Sequence, residues 1–299
     1  MNMDMTNLPE VISVNPSSRY RSWNNRIAAI TIATACTAVL VAAFFAIHSS
    51  ANSGFSLTNS ARSAYPLGVV DGAEVSGVAP PGANALAGYR LSYETNFPGT
   101  SVPSGWSLFK AVPPNDPGGQ FAYSHVVVDD GILHLNAWRD PAFNNEWVTG
   151  GLCQCGLAMK FGAYFVRSRI TAAGPNAAQL LWPLSNTWPP EIDFNENDGR
   201  ASGTSSTLHW SPINQIDQRF ININMEQWHT WGIIWSPSSV IYTVDGQVWG
   251  KISNPSEITG VPMTLNFEQT QHCKQNYECP TRPTSMEVNW VAEYSPKAQ

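Results

Sequence analysis

Charge is scarce in this chain. Only 13% of its 299 residues are Asp, Glu, Lys or Arg, and the formal net charge is −6. No basic patch is available to hold a polyanion, which excludes nucleic acid as a partner. Helical periodicity is also lacking, since no long 3.6-residue pattern occurs after residue 50. There is no internal repeat and no sign of a second folded domain. Cysteines number five. Cys36 lies in an apolar run, and Cys153, Cys155, Cys273 and Cys279 lie beyond it. A C-x-C paired with a C-x5-C is poor zinc spacing. An even count beyond a membrane crossing points to disulfides instead. The sequence allows Cys153–Cys155, Cys273–Cys279 and cross-pairing between the two groups.

The one long hydrophobic run is Ile27 to Ile47, which carries no charge and has about the length of a membrane-spanning helix. Arg19, Arg21 and Arg26 precede it, and no Lys or Arg follows until Arg62. The positive-inside rule therefore puts residues 1–26 in the cytoplasm and the remainder outside. An uncleaved signal anchor over 27–47 is the favoured reading, with the membrane as a partner. Cleavage near Ser49-Ser50-Ala51, giving a secreted protein, is the alternative. Residues 48–87 are rich in Ser, Ala, Gly and Pro and read as a flexible spacer. One large domain, 88–299, follows, and a monomer is expected.

From Tyr89 onward the chain reads as short alternating runs between turn signals. Val126-Val127-Val128, then Asp129-Asp130-Gly131, then Ile132 to Trp138 reads as a hairpin with an Asp-Gly turn, and Val244-Asp245-Gly246-Gln247-Val248 as another. Many short strands with Gly and Pro between them predict an all-β sandwich.

Glu191-Ile192-Asp193-Phe194-Asn195-Glu196 places three carboxylates within six residues. Ile192 and Phe194 favour a strand, and Pro189-Pro190 oppose a helix entering it. On a strand Glu191 and Asp193 share a face. Glu196 is out of phase by one residue, and a bulge absorbing Asn195 would return it to that face. Lining up like charges costs stability. A site that uses one carboxylate as nucleophile and another as proton donor needs such crowding, because it drives their pKa values apart. A calcium loop would be richer in Gly, Asn and Asp and poorer in alternating apolar residues.

The acidic run resembles the catalytic signature of glycoside hydrolase family 16 in its bulged, laminarinase-like form, Glu-x-Asp-x-x-Glu. Other stretches follow in the family's order: Trp147-Val148-Thr149-Gly150-Gly151-Leu152, Phe161 to Arg169, Leu180-Leu181-Trp182-Pro183, Trp228 to Pro237, Ile241 to Gly246, and Met286 to Val291. The resemblance covers roughly residues 88–295. It implies a jelly roll of two curved antiparallel sheets with a concave substrate groove. It also implies a retaining, endo-acting hydrolase of O-glycosyl bonds in a β-linked polysaccharide, chiefly a β-1,3- or β-1,3/1,4-glucan.

By position in the motif, Glu191 is the expected nucleophile, Glu196 the general acid/base, and Asp193 the group that orients the nucleophile through a shared proton. His209 matches a recurrent family histidine near the acid/base. Trp182, Trp188, Trp210 and Asn266 are the remaining candidates for binding sugar. Glu268 is a further acidic residue with no assigned role. Two departures stand out. Phe165 replaces the usual Glu of the strand beginning at Phe161. Asn289 stands where many members carry an Asp for structural calcium, so the expectation is no cofactor, with that calcium doubtful. Sparse Lys and Arg favour a neutral glucan over a strongly sulfated galactan. Two alternatives stay open: a transglycosylase that remodels cell-envelope or exopolysaccharide glycan, and a non-catalytic glycan-binding protein on the same fold.

Overall fold

The structure is a computed structural model that describes residues 65–113, 119–271 and 280–298. The expected cytoplasmic tail, the apolar run 27–47, Cys36, Cys273 and Cys279 lie outside these residues. Among the described residues no helix is long and apolar enough to cross a membrane.

The described chain is almost entirely strand and turn, as the sequence predicts. Early strands are β1 (Val69–Val70), β2 (Val78–Ala79), β3 (Tyr89–Thr95), β4 (Ser107–Leu108), β5 (Val126–Asp129) and β6 (Ile132–Asp140). Next come β7 (Glu146–Val148), β8 (Gly151–Cys153), β9 (Gly162–Ile170), β10 (Asn176–Pro183), β11 (Glu191–Glu196) and β12 (Gly203–His209). The rest are β13 (Ile216–Asn222), β14 (His229–Ser236), β15 (Ser239–Val244), β16 (Gln247–Ile252), β17 (Met263–Thr270) and β18 (Thr284–Pro296).

A seven-stranded sheet runs in the order β13-β12-β11-β10-β17-β8-β4. A nine-stranded sheet has the path β16-β15-β14-β9-β18-β6-β5, with β3 on β18 and β7 on β6. Both sheets are antiparallel throughout. Their facing sides enclose the main core, where Trp231, Trp235, Tyr242, Phe194 and Phe267 are fully buried. Both expected Asp-Gly hairpins form. Asp130 and Gly131 have φ of 49° and 72°, and Asp245 and Gly246 have 46° and 74°. Two consecutive left-handed residues make the turn whose twist matches the flanking strands, which is why Gly takes the second place.

A smaller apolar cluster lies on the outer face of the nine-stranded sheet. It contains Phe165, Trp290, Ala292 and Tyr294, with Tyr65, Val78 and Leu86 packed against it. Residues 65–87 therefore do not behave as the flexible spacer expected of 48–87. Trp290 Nε1 donates to Val78 O at 2.8 Å, Tyr294 OH to Gly82 O at 2.7 Å, and Thr230 Oγ1 to Leu67 O at 2.9 Å. The aromatic face needs cover, and a few apolar residues in an otherwise small and polar segment supply it. Phe165 belongs to this cluster, so its replacement of the usual Glu alters the packing of the rear face. Gly232 opposes it: a Cβ there would clash with Thr243 Oγ1 and come within 2.6 Å of the Phe165 ring.

Asn289 is fully buried at the same end. Its Nδ2 donates to Glu74 Oε2 and to Gly131 O, both at 3.0 Å, and its Oδ1 accepts from Ser76 Oγ. The amide thus links residues 74–76 and the β5–β6 turn to β18. Of the cysteines, Cys153 and Cys155 form a disulfide at the end of β8.

Candidate active site

Strand β11 builds the site by alternation. Ile192 and Phe194 point into the core, 1% and 0% exposed. Glu191 and Asp193 point the other way, onto the outer face of the seven-stranded sheet. The register then slips. Against β12, Asp193 faces Thr207 while Glu196 faces Ser205, so three steps on β11 match two on its neighbour. Against β10, Asp193 pairs with Leu180 and Asn195 with Gln179, which leaves Phe194 as the extra residue. The expected bulge is present, displaced by one residue from Asn195, and it returns Glu196 to the outer face. Asn195 is buried, its Oδ1 accepting from Thr204 Oγ1 at 2.7 Å, and this bond pins the bulge.

Neighbouring strands complete the constellation. His209, at the end of β12, is paired with Glu191 in the register. Its Nε2 lies 3.3 Å from Asp193 Oδ2, and its Nδ1 lies 2.7 Å from Asn214 Oδ1. Both partners are acceptors, so the ring donates from both nitrogens as an imidazolium. Burial alone would lower the His209 pKa, but the hydrogen bond and charge of Asp193, helped by Glu191 and Asn214, raise it to about 9. One oxygen each from Glu191 and Asp193 and a nitrogen of His209 lie within 4.8 Å of one another. The ring faces Asp193 as a donor, which is an ion pair and not a metal-ligand geometry.

Trp188 Nε1 donates to Glu191 Oε2 at 3.0 Å, fixing that carboxylate from the loop side. Asn176 Nδ2, at the start of β10, donates to Glu196 Oε1 at 2.8 Å, and its Oδ1 accepts from the Asp198 amide at 2.9 Å. Asn197, fully buried, accepts from the Ala177 and Gly199 amides and holds the turn that follows Glu196. Asn176 and Asn214 come from other segments and carry no signal in the acidic run, which is why the sequence reading missed them.

The carboxyls are shifted in one direction. Burial first, then the Asp193 charge, raises Glu191 to about 8, against the lowering effect of His209 and Trp188. Burial and Glu196 raise Asp193 to about 6, with His209 opposing. Glu191 and Asp193 therefore hold about one proton between them at neutral pH. Glu196 rises to about 7 through burial and Asp198, restrained by Asn176. Such a site holds a proton ready on one carboxyl while leaving a negative charge on the pair beside it, the condition for acid and nucleophile to act at one pH.

The candidate binding residues divide. Asn266 is on the outer face, since it pairs with Leu180, which pairs with Asp193. Its Nδ2 donates to Thr264 O and Oγ1. Trp182 lies on that face one step further along, half-buried, with Nε1 on Asn186 Oδ1 at 2.8 Å. Trp210 departs from the expectation: one residue past His209 its ring falls on the opposite side and packs against the main core. Glu268 is on the outer face beside the site, with Ala178 between it and Glu196 in the register. Burial, then Glu191 and Asp193, raise it to about 8.

The fold has counterparts among solved structures. No curated protein matches the chain. Solved structures do. The endo-β-1,3-glucanase from Pyrococcus furiosus is 19% identical, covering 71% of this chain and 96% of its own, with a TM-score of 0.60. The laminarinase catalytic domain from Thermotoga maritima is 16% identical, covering 70% of this chain and 99% of its own, with a TM-score of 0.61. A non-specific endo-β-1,3(4)-glucanase is 18% identical, covering 71% of this chain and 93% of its own, with a TM-score of 0.63. At these identities the likeness is one of fold. The sequence itself carries the assignment further, because residues 120–292 match the model of glycosyl hydrolases family 16. The chain belongs to that family.

Proposed function

We propose that the protein is an endo-acting, retaining glycoside hydrolase whose substrate is a neutral β-1,3- or β-1,3/1,4-glucan. The observation that carries this reading is the bulge in β11. It sets Glu191, Asp193 and Glu196 on one face, each with a hydrogen-bond or ion-pair partner from a different segment. A retaining glycosidase needs two carboxyls about 5–5.5 Å apart, one attacking the anomeric carbon and one protonating the leaving oxygen. Glu191, aimed by Trp188, is the nucleophile. Asp193 takes the proton shared with Glu191, which frees Glu191 to attack as a carboxylate, while the His209 charge beside the pair keeps it from binding a second proton. Glu196 gives its proton to the leaving oxygen and then, as a carboxylate, removes a proton from the water that releases the glycosyl unit. The outer face of the seven-stranded sheet is the floor of the substrate groove, with Trp182, Trp188 and Asn266 contacting sugar on it.

A neutral polymer fits the charge. Glu268 adds a fourth carboxyl to this face rather than a cation, so an anionic sugar finds no positive partner there. Nearby arginines are already engaged: Arg200 with Asp198 at 2.7 Å, and Arg219 with Asp217 and Lys251 O. The titles of the similar structures name β-1,3- and β-1,3(4)-glucanases, which supports the linkage. The apolar run 27–47 with arginines before it supports an extracytoplasmic site held at a membrane. The test is product analysis of the full chain and its Glu191→Gln variant on laminarin, lichenan, xyloglucan, agarose and carrageenan. Oligosaccharides from laminarin or lichenan, lost in the variant, are expected. Longer transfer products would convert the reading to a transglycosylase. Binding by both proteins without cleavage of any polymer would replace it with a lectin.

A further inference from the structure

Among the described residues, the edge of the seven-stranded sheet carries apolar surface with no covering element. β13 ends the strand order, and an edge strand is normally blunted with charge or covered. Here Phe220 is 64% exposed, Ile216 42% and, in the turn before the strand, Ile213 80%. Their direction follows from the register. Phe220 pairs with Ser205, which pairs with Glu196; Ile216 pairs with His209, which pairs with Glu191. Cross-strand partners share a face, so Phe220 and Ile216 stand on the catalytic side of the sheet. The inward residues of β13 confirm the phase: Ile221 packs on the core, and Arg219 pairs with Asp217 beneath the sheet.

The path from Phe220 to the acid/base crosses only the small side chain of Ser205. Two strand spacings separate them, about 10 Å. Two residues past Phe220 on the same face, Asn222 borders a shallow, open and mainly apolar hollow of about 450 Å³, lined also by Ala201, Ser202, Ile223, Asn224 and Glu226. An exposed ring beside amide and carboxylate groups suits a pyranose. The ring takes the apolar C–H face of the sugar, and the polar groups take its hydroxyls.

We propose that β13 forms a distal sugar-binding subsite, with Phe220 as the stacking platform and Asn222 and Glu226 as hydroxyl partners, for a linear neutral glycan lying across β11, β12 and β13. The occupant is the polysaccharide itself, because the patch is continuous with the catalytic face through the register. The inference rests on the hydrolase reading above.

The full chain and its Phe220→Ala and Phe220→Trp variants are compared on a long glucan and on the shortest oligosaccharide that is cleaved. The ratio of kcat/KM on polymer to kcat/KM on the short substrate should fall about twofold to tenfold in Phe220→Ala, and Phe220→Trp should restore it. A general disturbance of the fold would lower both values together and leave the ratio alone. An unaltered ratio overturns the subsite. A ratio that stays put while Phe220→Ala abolishes a concentration-dependent dimer assigns the patch to a second copy instead. Wild-type protein that cleaves nothing refutes the hydrolase reading. The subsite then stands or falls on glycan-affinity electrophoresis of Glu191→Gln with and without Phe220→Ala. Weaker retention in the double variant supports it, and equal retention, including none, overturns it.

Discussion

Replacing His209 with Asn isolates the charge that keeps the nucleophile pair ionisable. In the wild type the proposed mechanism gives a bell-shaped kcat/KM profile. The acid limb belongs to the Glu191–Asp193 pair and begins near Asp193's value of about 6. The basic limb follows Glu196 at about 7. His209 sits 3.3 Å from Asp193 as an imidazolium and lowers the carboxyls around it. Asn can still donate to Asp193 but brings no charge. Loss of an opposite charge at this range raises a carboxyl pKa by about 1–3 units. At pH 6 the ionised fraction of the pair then falls from about one half to about one eleventh for a single unit, a sixfold loss of kcat/KM, and about 50-fold for two units. The acid limb moves up further than the basic limb, because His209 acts more strongly on Asp193 than on Glu196, and the maximum drops. The assay is kcat/KM on a soluble glucan from pH 4.5 to 9, with unfolding measured in parallel. An acid limb that stays in the wild-type place would refute the ion-pair role of His209.

Asn176→Ala removes the hydrogen bond that lowers Glu196, so the basic limb should shift to higher pH; the lost partner for the Asp198 amide should also cost about 1–3 kcal/mol in chemical denaturation. Glu293 is fully buried, and among the described residues neither carboxyl oxygen has a hydrogen-bond partner. Burial raises it to about 8. Between the ordinary glutamate value and about 8 the folded state holds a proton that the unfolded state has lost, so this residue erodes stability as pH rises through that window. Glu293→Gln should flatten the slope of unfolding free energy against pH by up to about 1.4 kcal/mol per unit; an unchanged slope would show that Glu293 finds a partner. Gly232→Ala forces a methyl against Thr243 and the Phe165 ring, and thermal unfolding should show a loss of about 1–3 kcal/mol.

The catalytic strand was legible because its chemistry is local. Three carboxylates, two apolar residues in phase and two preceding prolines sit in one short run, and the out-of-phase Glu196 announces the bulge. The Asp-Gly hairpins were legible for the same reason, since the turn geometry demands those residues. What escaped depends on distant partners. Asn176 and Asn214 reach the site across strand pairs that no spacing reveals. Trp210 carries the composition of a sugar platform, but its place next to His209 turns it inward. Residues 65–87 look like linker because they are small and polar, and only the aromatic face of Phe165, Trp290 and Tyr294 explains why they settle. Glu293 sits in a strand with an otherwise ordinary pattern, and its burial follows from the interior place of β18, paired with β9 on one side and β3 on the other.

The most direct test of the central claim is the configuration of the first product. Proton NMR during early digestion of laminarin or lichenan should show the β-anomer of the new reducing end first, with the α-anomer appearing later by mutarotation. That order follows from Glu191 acting as a covalent nucleophile and Glu196 as acid and then base. Initial release of the α-anomer would mean a single displacement by water, and would contradict the roles assigned to both residues.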